Sequence, residues 1–376
     1  MPTKTSPHAR DFGPDLIRAT AIMLVLLAHT IPGGTHFPVF GALRYFWGLL
    51  GVEIFFLLSG YLIGGILMKE LVAGRLDGPA GVVEFWKRRW YRTLPNYYLF
   101  LVLTLLVTIV LEGHFPAGFE NFLWFGQAMI SPYPEFFPGA WSLSIEEWFY
   151  LSFPIMLLIF SRLLPRRQVA LLATIAVFLA VPVIIRCFIS SAVNWDAGVR
   201  RVTLPRLDAI GYGVALVWVK NYGGGTWNIL VRLWPLGMAA GIALIFQFCH
   251  HFAVAGYFSS GSFIYRVFYF NLVAICLALV FPKVAEITAP GGWIEKVIRN
   301  LSLWSYSMYL SHGIFNGIIA ITLTHTGPWH GWEPVIACPL IWLMTVPASA
   351  LVYRLYEKPL MSLRDKPLKT IFRHSV

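Results

Sequence analysis

The chain has 376 residues, of which 57% are hydrophobic, 16% aromatic and only 12% charged. That charge share is about half of what an ordinary soluble domain carries, too little to cover a watery surface, and it excludes disorder, collagen and coiled coil as well. The net charge of +11 does not call for a nucleic acid, because Lys and Arg held on one side of a membrane give the same surplus.

About 20 mostly apolar residues are needed for a helix to cross the hydrocarbon. The sequence therefore predicts an all-α, polytopic transmembrane helical bundle of about ten spanning helices. They fall at roughly 15–33, 44–68, 96–112, 144–164, 168–190, 205–220, 229–249, 264–282, 300–324 and 334–356. Asp15 and Arg18 enter the first stretch and no small-residue cleavage site follows it, so it reads as a spanning helix and not a signal peptide. The sixth is interrupted by Arg206, Asp208 and several glycines. Residues 115–140 are rich in aromatics and proline (Phe115, Pro116, Trp124, Pro132, Pro134, Pro138) and read as an interfacial or re-entrant loop. Cys187, Cys249, Cys276 and Cys338 lie in or beside apolar runs without metal-ligand spacing, and read as buried thiols; no metal is expected.

With the N-terminus in the cytoplasm, 23 of the 29 Lys and Arg fall on cytoplasmic segments; the other six are Arg44, Arg186, Arg200, Arg201, Arg206 and Arg266. Both termini are thus expected inside. A single membrane domain is expected over 1–376. It has a short cytoplasmic N-terminus at 1–14, a basic tail at 358–376 on the inner leaflet, and no added periplasmic domain.

Ionisable groups at membrane depth are costly and point to function. In the first span Arg18 and His29 are 11 residues apart, three turns plus roughly 20°, so they share a face about 16 Å apart along the axis. A snorkelling Arg and a hydrogen-bonded His are the plainer account of the same pair. Glu53, in the second span, falls at a depth near His29, where a carboxylate can fix an imidazole. Ser59 and Gly60 suit close helix packing. Arg88, Arg89 and Arg92 follow the inner loop, and Arg89 and Arg92 share a helical face. Arginine forks suit phosphate, although such clusters also serve as topology signals or lipid anchors. Ser144 and Glu147 read as a capping box, which leaves Glu146 pointing inward near His29. Arg206 and Asp208 are expected to pair with each other, and Glu357 with Arg354 or Lys358. The ninth span carries Ser302, Ser305, Tyr306, Ser307, Tyr309 and His312, a polar lining at membrane depth.

Six ordered motifs connect these residues. They are Asp15-x-x-Arg18-Ala19 with His29, Gly51 to Gly60, Arg88-Arg89-x-x-Arg92-x-x-Pro95, Trp141 to Tyr150, Ser305 to His312, and Glu357-x-Pro359. Together, from about Asp15 to Pro359, they resemble the acyltransferase 3 family of integral-membrane O-acyltransferases. The resemblance implies a multi-pass protein of a bacterial inner membrane. It would move an acyl group, acetyl first among the expectations, from cytosolic acyl-CoA to a hydroxyl of a sugar, glycan or lipid-linked glycan at the outer side. Acyl-CoA would be a donor substrate, with no permanently bound cofactor. His29 would be the base and Arg18 part of its motif, with Glu53 or Glu146 orienting the imidazole. Arg89 and Arg92 would hold CoA. On position alone, Arg88 of the same cluster joins them as a candidate, and Ser59, between His29 and the arginines, is a candidate to bond the pantetheine arm. Glu53 stands where the family usually has Asp, one methylene shorter.

The chemistry agrees with that expectation. A thioester is already activated, and an acceptor alcohol needs a base, for which histidine is suited. Two other classes remain open at this level. A transporter or flippase accounts for ten spans, intramembrane charges and a polar cavity. A membrane glycosyltransferase would be expected to carry acidic pairs in its outer loops, and the first of these, Gly33 to Leu43, has none.

Overall fold

The computed structural model describes residues 11–30, 38–130, 136–189, 191, 193–255, 262–326 and 333–364. Among them the regular structure is entirely helical. In chain order the helices are α1 (Phe12–Thr30), α2 (Pro38–Val72), α3 (Pro79–Glu112), the short α4 (Phe119–Phe122), α5 (Ala140–Leu163) and α6 (Arg167–Phe188). A π-helical turn (Asp196–Arg200) and a 3-10 turn (Leu204–Arg206) lead into α7 (Asp208–Tyr222). Then come the short α8 (Thr226–Arg232), α9 (Trp234–Ala255), α10 (Phe263–Ala285), α11 (Gly292–Thr326), α12 (Glu333–Val352), a second π turn (Tyr353–Glu357) and the short α13 (Lys358–Leu363).

Among the described residues, ten helices of 15 residues or more thus stand where the apolar runs put them. Eight helical spans among the described residues are long and apolar enough to cross a membrane. α7 falls short because it has 15 residues, about 22 Å of rise. α11 is long, at 35 residues, but its serines, tyrosines and histidine face the bundle interior and lower its hydropathy. Large apolar side chains such as Val110, Phe188, Phe246 and Leu343 are exposed on the flanks, the surface that lipid tails cover. Cys187 is exposed as well, and the other three cysteines are half-buried and free. They are not the buried thiols the sequence suggested, because an apolar run in a membrane protein can face lipid as readily as core.

Two segments extend the sequence-based expectation. α3 begins at Pro79, after an extended Gly78, and runs through Pro95 to a left-handed Gly113 that caps Ile109 O. The stretch Phe85–Pro95 is therefore part of the same helix as the span expected at 96–112. At 34 residues, about 51 Å, α3 extends well past the hydrocarbon. Residues 115–130 fold back into the bundle, burying Phe122, Phe125 and Ala128. Their carbonyls are met by side chains: Tyr97 OH donates to Phe122 O at 2.7 Å, and Trp148 Nε1 to Phe125 O at 3.1 Å. Irregular backbone is tolerated at membrane depth only when protein satisfies it in this way. Pro132 and Pro134 lie outside the described residues.

Contacts sort the helix ends into two layers. At one end Arg299 of α11 stands over Phe12 of α1, Arg167 of α6 bonds Leu71 O of α2 and Asp77, and Trp227 of α8 donates to Glu286 after α10. This layer holds the basic residues assigned to the cytoplasmic side. At the opposite end Trp342 of α12 bonds Thr30 of α1, and Tyr45 of α2 bonds Asp196. Between them α2 and α7 cross closely. A Cβ on Gly60 would lie 1.9 Å from Ile210 O, and one on Gly213 2.1 Å from Leu57 O.

Two of the six exceptions to the basic asymmetry have a structural cause. Arg186 is fully buried and uses all three of its nitrogens: Nε on Val267 O, Nη1 on Pro205 O and Asp208, Nη2 on Asp208 and Asn271. Arg206, also buried, pairs with Glu53 and lies 3.6 Å from the Phe270 ring centroid. Asp208 is therefore the partner of Arg186 and not of Arg206, because Arg206 belongs to the 3-10 turn and is turned toward α2. Paired in this way, an arginine no longer acts as a free topogenic charge.

Candidate active site

A cavity of about 1130 Å³ opens at the basic end of the bundle, larger than the roughly 300–1000 Å³ of an ordinary small-molecule pocket. Its mouth is lined by Lys69, Arg75, Glu84, Arg88 and Lys220. Deeper in stand Arg18, Ser59, Arg89, Arg92, Glu146 and Tyr306, and the innermost wall includes Ser142 and Tyr309. Six of the eight site residues expected from sequence thus share one cavity.

Tyr150 organises them, a residue the sequence reading left unassigned inside its motif. Arg89 Nη2 donates to the Tyr150 hydroxyl at 2.5 Å, and that hydroxyl donates to Glu146 Oε2 at 2.9 Å and meets Ser59 Oγ. The Arg89 guanidinium also stands 4.1 Å from the Tyr150 ring centroid and 3.6 Å from Glu146. Ser59 therefore faces the cavity, while its neighbour Gly60 serves packing. The signal in the sequence was the Glu146/Tyr150 spacing of four, which places both on one helical face. Arg18 is braced by α11: Nη1 donates to Ser302 Oγ at 3.2 Å and lies 3.7 Å from Asp15 Oδ1. Asp15 in turn accepts from Ser302 at 2.6 Å and from Arg299 at 3.0 Å. Arg88 is exposed and bound to Glu84 at 2.9 Å.

His29 stands beyond the inner end of this cavity. Its ring lies 4.9 Å from that of His312, and His312 lies 5.8 Å from the ring of Tyr309. Tyr309 and Ser142 share a hydrogen bond of 2.6 Å. Neither carboxylate proposed to orient His29 does so: Glu53 is held by Arg206 and Glu146 by Tyr150 and Arg89. The imidazole is oriented by its own helix, Nδ1 donating to Val25 O at 2.8 Å. A carbonyl only accepts, so the proton sits on Nδ1 and Nε2 keeps its lone pair. His312 repeats the arrangement with Met308 O at 3.2 Å. Glu147 is not a capping residue, because α5 starts at Ala140 and Ser144 Oγ bonds Ala140 O instead. Glu357 accepts from Asn96 and Ser307 at 2.7 and 3.0 Å, not from Arg354 or Lys358.

Outside the spanning helices, Asp196 anchors a second polar group. Burial alone would raise its carboxyl pKa, but Arg200 and Arg201 outweigh that and hold it below the ordinary aspartate range.

The apolar helices enclosing a basic-mouthed polar cavity define a multi-pass membrane protein, and the motif-bearing cavity sets it among membrane acyltransferases. Residues 11–354 match the acyltransferase domain family, and the chain belongs to the acyltransferase 3 family. A putative O-acetyltransferase of Staphylococcus aureus is 27% identical over 92% of this chain and 56% of its own length. The peptidoglycan O-acetyltransferase OatA of Listeria monocytogenes is 30% identical over 42% of this chain and 26% of its own length. A putative peptidoglycan O-acetyltransferase of Bacillus subtilis is 32% identical over 42% of this chain and 25% of its own length. The chain thus spans between a quarter and somewhat over half of these relatives. No solved structure matches it. Bacterial membrane relatives and apolar helices together mark a multi-pass bacterial membrane protein.

Proposed function

We propose that this protein is an O-acyltransferase that takes an acetyl group from acetyl-CoA at the basic, cytoplasmic end and passes it to a glycan hydroxyl near the opposite face. The observation that carries the reading is the cavity itself. It has a mouth of cationic side chains, a throat of Arg18, Ser59, Arg89 and Glu146, and an inner wall one aromatic contact away from paired histidines. Phosphates of a nucleotide donor match guanidinium forks, and a flexible thioester arm suits the roughly 16 Å of helix rise between Arg18 and His29. The O-acetyltransferase relatives support the reaction type, and those named for peptidoglycan support a glycan acceptor.

In the step proposed, the acceptor oxygen attacks the thioester carbonyl while His29 Nε2 takes its proton. The tetrahedral intermediate collapses, the carbon–sulfur bond breaks, and the CoA thiolate leaves and regains a proton, from the imidazolium or from water. Acetyl ends as an oxygen ester, and no oxidant or reductant is consumed. Arg18 and Arg89 position the donor, and Val25 O holds the histidine tautomer that this step needs. A transporter needs no histidine with a free Nε2 next to a cavity that closes on hydroxyl groups, and this favours the enzyme.

Purified protein is incubated with labelled acetyl-CoA and peptidoglycan-derived muropeptides or a lipid-linked glycan fraction, and alkali-labile label on the glycan is measured. Label transfer by wild type, reduced about 10²- to 10⁴-fold in a folded His29→Gln variant, is the expected result. Transfer unchanged by that substitution would remove His29 from the reaction.

A further inference from the structure

We infer that the end of the bundle beside His29 is built for an acceptor that carries an oxyanion, a carboxylate or a phosphate, near its reacting hydroxyl; the inference rests on the transferase reading above. The His29 ring packs on α2, with Cε1 4.0 Å from the Cβ position of Gly48. Arg44 and Tyr45 precede Gly48 by four and three residues, so they lie about one turn further out on the same face. The Tyr45 hydroxyl donates to Asp196, and Asp196 pairs with both Arg200 and Arg201. Arg200 lies 4.7 Å from the ring centroid of Trp141, the residue before cavity-lining Ser142. Both guanidinium groups are within electrostatic range of His29 and Tyr309.

This group differs from the structural ion pairs nearby. Arg186 and Arg206 are wholly buried, each on its own carboxylate. Arg200 and Arg201 share one carboxylate, so one positive charge is left over between them. Arg201 keeps 25% of its side-chain surface open, and its Nε is buried without a hydrogen-bond partner among the described residues. Arg206 also has a buried Nε without a partner among the described residues, but its charge is matched by Glu53; a structural pair has no use for a surplus charge. A site for a bidentate oxyanion has, because guanidinium forks match carboxylate and phosphate geometry. An acceptor held there places a neighbouring hydroxyl over the histidine and is told from a neutral sugar by that charge.

The test is binding calorimetry on the full chain in nanodiscs at low salt, with methyl β-glucuronide, glucose 1-phosphate and methyl β-glucoside as probes. At least one anionic probe is expected to bind tenfold or more tightly than the neutral glucoside, as one charge-assisted bond provides; which one identifies carboxylate or phosphate as the source. Arg201→Gln, at a partly open position, should bring anionic and neutral probes to near parity, and Arg200→Gln should do the same if it folds. Arg232→Gln, an exposed change on α8, should leave the preference intact. Equal binding of all three probes, no binding of either anion, or a preference that survives Arg201→Gln overturns the inference. Acetyl-CoA transfer measured on the same samples keeps the two readings apart: transfer without anion preference sinks this inference alone, and anion preference without transfer sinks only the transferase reading.

Discussion

Tyr150→Phe removes one oxygen from behind the cavity wall, where it joins Arg89, Glu146 and Ser59, and leaves the ring in place. The cation–π contact to Arg89, 4.1 Å to the centroid, is retained. Lost are the bond from Arg89 at 2.5 Å, the bond to Glu146 at 2.9 Å and the contact with Ser59. Bonds to charged groups are worth about 1.5–3 kcal/mol each and neutral ones about 0.5–1.5. The full sum does not apply, because water from the open cavity replaces part of it and Arg89 can close on Glu146 from its present 3.6 Å. One charge-assisted bond is the net loss, about 1.5–3 kcal/mol or roughly ten- to a hundredfold. It falls on donor binding, because Arg89 is the group set free. The KM for acetyl-CoA should therefore rise by that factor with kcat changed only a few-fold, and equilibrium binding of CoA should weaken in parallel. A folded Tyr150→Phe protein with wild-type CoA affinity would refute the view that Tyr150 positions Arg89 for the donor.

Arg89→Ala should weaken CoA binding at least tenfold, whereas Arg88→Ala, exposed and paired at the surface with Glu84, should change it less than about fivefold; equal effects would contradict the distinction. Gly60→Ala sets a methyl 1.9 Å from the backbone oxygen of Ile210 and should cost about 1–3 kcal/mol. It should show as a lowered thermal midpoint, with Gly241→Ala, where nothing lies within 4 Å, as the control that does not fall. The depressed carboxyl of Asp196 sets the sign of a pH effect. Its ion pairs contribute fully above the ordinary aspartate range and are lost as pH falls through the lower folded value. Wild type should outlast Asp196→Asn in thermal stability near neutrality and converge with it only in strongly acidic buffer; a gap that widens with acid is the contrary result.

Much of this was legible in the sequence because the bilayer imposes a length. Apolar runs of about 20 residues located ten long helices, and the Lys/Arg bias separated their ends. The arginines of α3 were legible as a cluster, yet the start of α3 was not, since its outer turns are polar and look like loop. Arg18 and Glu146 were found as unusual residues for their depth and Arg89 as one of a basic cluster, whereas Ser59 read first as a helix-packing residue. Their partners were not: Glu53 and Arg206 are 153 residues apart, and nothing local says which of several buried arginines a carboxylate will meet. Tyr150 was overlooked because tyrosine is unremarkable in a membrane helix until its neighbours are known. His29 was seen, but its orientation by a carbonyl four residues earlier is a backbone matter that side-chain patterns do not reveal.

The most direct test of the account is vectorial transfer. The protein is reconstituted in sealed vesicles with its orientation fixed, labelled acetyl-CoA is supplied only on the side of Arg88 and Lys220, and a membrane-impermeant glycan acceptor only on the other. Labelled acetyl ester on that glycan, absent with His29→Gln, is the predicted result; label found only on acceptors placed on the donor side, or label crossing as free acetate without ester formation, would contradict it.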